Sequence, residues 1–213
     1  MRDVCREMPS PPQAASSTGA VPKKKKKKKK GMIVCLDQEK AYDRIDLSYL
    51  WLTLEKYGFL NQFISRIKSL YENATTAIRI NGFISATFEV RRGVRQGDPM
   101  SCLLYNLAIE PLMEGIRQSH LRGFHINENL TKVLVKVYAD DTTVFLGPDD
   151  DLKELHKSLD LFCQASTARF NKLKTEIIPL GSEMSRQEII ETREFNRWNI
   201  EDEIHIAKDT EFT

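Results

Sequence analysis

Residues 132–147, KVLVKVYADDTTVFLG, constrain the fold more than any other stretch of the chain. Two apolar runs of strand length flank two adjacent aspartates, Asp140 and Asp141, which reads as a β-hairpin with acids at its turn. Strand-like sequence usually dilutes its charges. Either these acids answer to turn geometry, which Asp tolerates, or they hold something positively charged. A second short apolar run, MIVCLD at 32–37, also ends in an acid, Asp37, and suits a buried strand. If both runs share one sheet, three carboxylates converge at one edge. Such a cluster repels itself unless a cation neutralises it. Hard oxygen donors suit Mg²⁺, and two such ions can activate an attacking oxygen and stabilise a leaving one, which is phosphoryl-transfer chemistry.

The segments between these runs indicate how the sheet is covered. Asp46 is placed to cap a helix with Leu47, Leu50, Trp51, Leu54 and Tyr57 as its apolar face and Gly58 as its stop. Asn61 opens a second helix with Ile64, Ile67, Leu70 and Tyr71 on one face. TTAIRI and FISATFEV flank Asn81-Gly82, a strong hairpin signal. A loop, RRGVRQGDP, leads into a long apolar helix from Ser101 to about Gln118, with Pro111 as a potential kink. GFHI (123–126) reads as a strand. The run DDDLKELHKSLDLFCQ is amphipathic, with Asp149–Asp151 read as helix-start acids. TEIIPLG (175–181) is a further strand, and SRQEIIETREF suits another helix. The order β-αα-ββ-α-ββ-α-β predicts an α+β fold with helices packed on one face of a sheet.

At 213 residues and 41% hydrophobic composition, the chain can bury one core. The formal charge of +2 includes Lys23–Lys30; without those eight lysines it is −6, so nucleic acid would be met through a local site rather than a broadly basic face. Residues 1–30 read as a disordered tail whose lysine run is either a nuclear address or a solvated run without a reader. No apolar stretch spans a bilayer, and the N-terminus lacks the apolar core of a secretory signal. Cys5, Cys35, Cys102 and Cys163 are scattered without metal spacing, which predicts reduced thiols in an intracellular protein, and the four histidines are equally dispersed.

YADD (138–141) between apolar strands resembles the catalytic box of reverse transcriptases. LDQEKAYDRID (36–46), RRGVRQGDPMSCLLYNLAIEPL (91–112) and FNKLKTEIIPLG (170–181) resemble three further blocks of those enzymes, in the same order. The wording is most similar to non-LTR (LINE-like) retrotransposons, of a fungal kind, over about residues 32–182. This resemblance implies a polymerase palm, an antiparallel sheet backed by helices, over 31–182. It implies RNA-directed DNA polymerase activity on an RNA template, a DNA primer and deoxynucleoside triphosphates, with two Mg²⁺ ions.

Residue by residue, Asp37, Asp140 and Asp141 stand where the family binds metal. Tyr42 matches the ring that crowds the sugar 2′ position, with a core tyrosine as the bland alternative. Gln96 and Gly97 match the loop lining the incoming nucleotide and template. Arg92 and Arg95 would meet phosphates or remain surface charges. Lys174 matches the lysine that neutralises or protonates the pyrophosphate leaving group, with Lys172 as its competitor.

The sequence also departs from the family. A tail stands where fingers strands are expected, and STARFN replaces the usual Gly-containing lead into the fourth block. Residues 183–213 read as a polar connector toward a missing primer grip. The alternative is therefore an inactive retroelement remnant with residual nucleic-acid binding. Another palm-type nucleotidyl transferase, such as a cyclase, is disfavoured by Arg95–Pro99 and Tyr42.

Overall fold

Alternation of buried and half-buried side chains sets the strand Gly31–Leu36 (β1) into the middle of the molecule. Met32, Val34 and Leu36 face the core, while Ile33 and Cys35 face the other way. The structure, a computed structural model, describes residues 30–125, 132–196 and 198–208. The tail 1–29, and with it all of the lysine run except Lys30, lies outside the described residues, as does the end of the GFHI strand.

After β1 come a single helical turn, Ala41–Arg44 (α1), and two helices, Leu47–Lys56 (α2) and Asn61–Tyr71 (α3). Strands Thr75–Thr76 (β2), Arg79–Ile80 (β3), Phe83–Ile84 (β4) and Phe88–Glu89 (β5) form two nested antiparallel pairs, β3 with β4 inside β2 with β5. Helix Ser101–Gln118 (α4) precedes the short pair Phe124–His125 (β6) and Lys132–Val133 (β7). Strands Val135–Tyr138 (β8) and Asp141–Leu146 (β9) form the aspartate hairpin. Helix Leu152–Ser166 (α5), a 3₁₀ turn at Lys172–Lys174 and strand Glu176–Leu180 (β10) follow. The described chain ends with Glu183–Thr192 (α6), Glu194–Phe195 (β11), Trp198–Asn199 (β12) and His205–Ile206 (β13).

The main sheet runs β13-β10-β1-β9-β8. Its neighbours are antiparallel except β10 and β13, which are parallel, so the expected antiparallel sheet carries one parallel edge. Helix α4 lies against α2, α5 and the β8 edge. It buries Leu104, Tyr105, Ala108, Ile109, Leu112 and Ile116 beneath one face of the sheet. Burying side chains of this size stabilises by roughly 1.5–3 kcal/mol each, which is what holds the layers together.

Local signals act as their chemistry requires. The Asp46 carboxylate accepts the Tyr49 N–H at 2.9 Å and caps α2. Asn81 and Gly82 both take positive φ, 49° and 86°, as a two-residue hairpin turn demands. Pro111 sits inside α4, and the helix runs through it. Two apolar assignments shift. Tyr57 falls at the C-cap of α2, and Leu70 lies past the edge of the Ile64–Ile67–Tyr71 stripe; both are exposed.

The segment expected as a polar connector is folded as far as residue 208. Ile189, Phe195, Ile200, Ile204, Ile206 and Ala207 are buried, and β13 extends the sheet. Its apolar residues are too widely spaced for a periodic signal, and they find partners only through tertiary packing.

Candidate active site

Strand register brings the predicted acids to one end of the sheet. Leu36 of β1 pairs with Thr142 of β9, and Tyr138 pairs with Asp141 across the hairpin, so Asp37 emerges beside the Ala139-Asp140 turn. Ala139 closes that turn at φ 54°, a backbone that non-glycine residues rarely adopt. Beyond β1, the Asn171 N–H donates to the Asp37 carbonyl at 2.8 Å, and Gln38 bridges Phe170, so the fourth block is laced to the first acid.

A cleft of about 430 Å³ opens there, lined by Asp37, Gln38, Tyr42, Gln96, Asp140 and Lys174 among others. Lys174 Nζ stands 4.0 Å from Asp37 Oδ2, whereas Lys172 is drawn away to Glu201 at 2.6 Å. Of the two competing lysines, the geometry brings Lys174 to the acids.

Asp141 is not among the residues lining that cleft. It is exposed at the start of β9, on the strand face shared by Thr143 and Cys35. Burial, with the Glu176 and Asp141 charges, raises the Cys35 thiol pKa. Among the described residues no group of three acidic, His or Cys side chains is gathered closely enough to hold a metal ion. Asp37 and Asp140 line one cleft, and Asp141 starts β9 on the strand face that Cys35 and Asp37 take by register. Two carboxylates still fit Mg²⁺, which takes one or two protein carboxylates and fills its remaining positions with water and substrate phosphate.

Tyr42, on the single turn α1, forms one wall. Its ring stacks on Tyr105 with centroids 4.7 Å apart and planes 12° from parallel. The hydrogen bond from its hydroxyl to Cys102 Sγ at 3.5 Å, burial and the Asp140 charge push its pKa up to about 12. Burial, then the Asp140 charge, raises Tyr105 as well. Both phenols are therefore neutral at physiological pH.

Gln96 borders the cleft and donates to Asp43 Oδ1 at 3.1 Å. Arg95 lies elsewhere. Its guanidinium donates to the Leu70 carbonyl at 2.5 Å and sits 5.4 Å over the Tyr71 ring, in an adjoining pocket shared with Arg92 and Gln96. Gly97 has φ +86°, but a Cβ there would meet nothing within 4 Å. Its glycine answers to backbone conformation rather than to a close approach within the chain. The close approach occurs at Gly93, where a Cβ would lie 2.7 Å from the Tyr42 carbonyl. Hydrogen bonds from Gly93 N to Ile45 O and from Val94 N to Tyr42 O zip this loop to α1.

Sequence reasoning passed over Gln38 and Tyr105. A signal for Gln38 existed: it is a polar residue in phase with the core-facing positions 32, 34 and 36.

A helix-backed sheet with carboxylates at the end of its central strand and in the neighbouring hairpin turn defines a polymerase palm. The chain belongs to the reverse transcriptase (RNA-dependent DNA polymerase) family, whose profile matches residues 2–196. It is similar to the transposon TX1 uncharacterized 149 kDa protein of Xenopus laevis, 39% identical over 147 residues. It also resembles the Pol polyproteins of retrotransposable elements R2DM of Drosophila melanogaster (31% over 129 residues) and R2 of Popillia japonica (31% over 121). These matches take in 69, 60 and 56% of the chain but only 11, 12 and 16% of those proteins. They place the chain with non-LTR retrotransposon reverse transcriptases. The relatives are animal, so the expected fungal source is not supported. A telomerase from Candida tropicalis, solved in complex with a fragment of telomeric RNA, shares the fold at TM-score 0.55 and 18% identity, over 74% of this chain and 27% of that one.

Proposed function

We propose that this chain is the palm of an RNA-directed DNA polymerase, transferring a deoxynucleotide to a primer 3′-oxygen on an RNA template. The observation that carries this reading is the single cleft holding Asp37, Asp140, Tyr42 and Lys174. Asp37, Asp140 and Asp141 would hold Mg²⁺, with two ions as the working stoichiometry. Bound Mg²⁺ supplies charge neutralisation at the phosphates and lowers the pKa of an attacking oxygen.

The remaining work falls to the chain itself. Lys174 lines the cleft 4.0 Å from Asp37 and neutralises the departing pyrophosphate. Tyr42 blocks a ribose 2′-hydroxyl by bulk, since its ring occupies the wall. Gln96, tied to Asp43, presents the loop edge to the nucleotide. Arg95, held at Leu70 and Tyr71, serves the adjoining pocket rather than the metal site. The lysine run Lys23–Lys30 is read as a nuclear address, and loss of nuclear accumulation of a fluorescent fusion on its deletion tests that part.

The enzymatic reading is tested with the purified chain, Mg²⁺, a homopolymer RNA template and a DNA primer, by incorporation of labelled deoxynucleotide. Incorporation that Asp140→Asn abolishes supports it. Incorporation that survives Asp37→Asn and Asp140→Asn together refutes the assignment of the acids.

A further inference from the structure

We infer that Gln38 and Tyr105 are positioning residues for sugar selection, a latch and a backing plate that hold Tyr42 in place. This rests on reading Tyr42 as the ring that excludes a ribose 2′-hydroxyl.

The phase of β1 turns Gln38 toward the helices, where it is 4% exposed. An amide in that position costs stability unless it is hydrogen-bonded. Gln38 Oε1 accepts the Tyr105 hydroxyl at 2.8 Å, across 67 residues of sequence, and Nε2 has no partner among the described residues. Tyr105 is fully buried in the second turn of α4, so its ring is fixed along its length by packing and at its tip by Gln38. Tyr42 lies flat against that ring.

Tyr42 needs the support. It stands on a helix of four residues, too short to hold its own shape. Its remaining hydrogen bond goes to a thiol at 3.5 Å, a weak acceptor. Exclusion by bulk works only if the wall does not yield, since a displacement of about an ångström changes reactivity by orders of magnitude. Gln38 also lines the cleft beside Asp37, so the strand that presents the acid holds the gate as well.

The test uses the full chain with isotope-labelled tyrosines, titrated with dATP and with ATP in the presence of Mg²⁺ and followed by NMR. The wild type should show a sharp Tyr42 resonance and tighter binding of dATP. Tyr42→Val should abolish that preference. Gln38→Leu and Tyr105→Phe should each broaden the Tyr42 resonance and reduce the preference about three- to tenfold, the weight of one buried hydrogen bond. The double variant should lose no more than either single one. A wild type without sugar preference overturns the reading of Tyr42, and the inference falls with it. A preference lost in Tyr42→Val but retained in both other variants overturns the inference alone. Additive losses in the double variant would indicate general loosening and also overturn it. Tyr105→Phe keeps the stacked ring and the core volume, so the test does not depend on Gln38→Leu folding well.

Discussion

Asp150 should be the most stability-sensitive acid in the chain, although its sequence context marks it only as one of three helix-start aspartates. It is 2% exposed, and its carboxylate accepts three backbone N–H groups: Arg122 at 2.6 Å, Gly123 at 2.8 Å and Gly147 at 2.8 Å. The side chain thereby ties the loop after α4 to the far end of β9, the strand that begins at the aspartate hairpin. Asp150→Ala would leave three amide donors facing a hole. One orphaned buried donor costs about 1–3 kcal/mol. Against the sum stand water entering the vacated space and the avoided burial of a charge, so a net loss of about 3–5 kcal/mol is expected. That is a large fraction of a typical stability of roughly 5–15 kcal/mol. Urea unfolding followed by circular dichroism would read it as a midpoint lower by about 2 M, for a slope near 2 kcal/mol per molar. Asp150→Asn keeps one acceptor oxygen and should fall between. Asp149→Ala is the control: its 3.6 Å pair with Arg122 is 71% exposed on the acid side, and its removal should shift stability by about 0.5 kcal/mol or less. A loss under about 1 kcal/mol in Asp150→Ala, or equal losses at the two positions, would refute the reasoning.

Three further outcomes are expected. Gly93→Ala combines a φ of +84° with a Cβ pressed on the Tyr42 carbonyl and the Asp43 backbone, and should cost about 3 kcal/mol in thermal unfolding; a loss below about 1 kcal/mol would show that the loop yields freely. Mg²⁺ at about ten times its dissociation constant should stabilise the wild type by about 1.4 kcal/mol, and Asp140→Asn should remove most of that gain; equal Mg²⁺ responses would exclude Asp140 from the site. Burial pushes the Tyr49 hydroxyl up to about 12 while it donates to the Ala108 carbonyl. The folded state therefore keeps a proton that the unfolded chain loses near pH 10, so the stabilisation is full below pH 10 and fades as pH rises toward 12. Tyr49→Phe should flatten that decline by on the order of 2 kcal/mol, and an unchanged alkaline profile would count against it.

What the sequence revealed and what it hid divide along the range of the interactions. The cap at Asp46, the Asn81-Gly82 turn and the strand runs of β1 and β9 are decided within a few residues, where spacing and side-chain type suffice. The meeting of Asp37 with Asp140 was also legible, because two acid-tipped apolar strands become neighbours in many small sheets and motif order supplied the rest. Three features depended on partners far along the chain. Asp150 takes two of its three donors from residues 27 and 28 positions earlier. Arg95 takes a carbonyl 25 residues back as its partner. The folded segment 183–208 finds its core only through β10 and the helices.

Asp141 is the instructive case between these extremes. Its neighbour Asp140 sits in the turn and lines the cleft, whereas Asp141 starts β9 on the strand face of Thr143 and Cys35. Motifs in sequence identify residue types, whereas strand register and the turn set which face each of them takes. The site is thus defined by strand register and a single turn as much as by its aspartates.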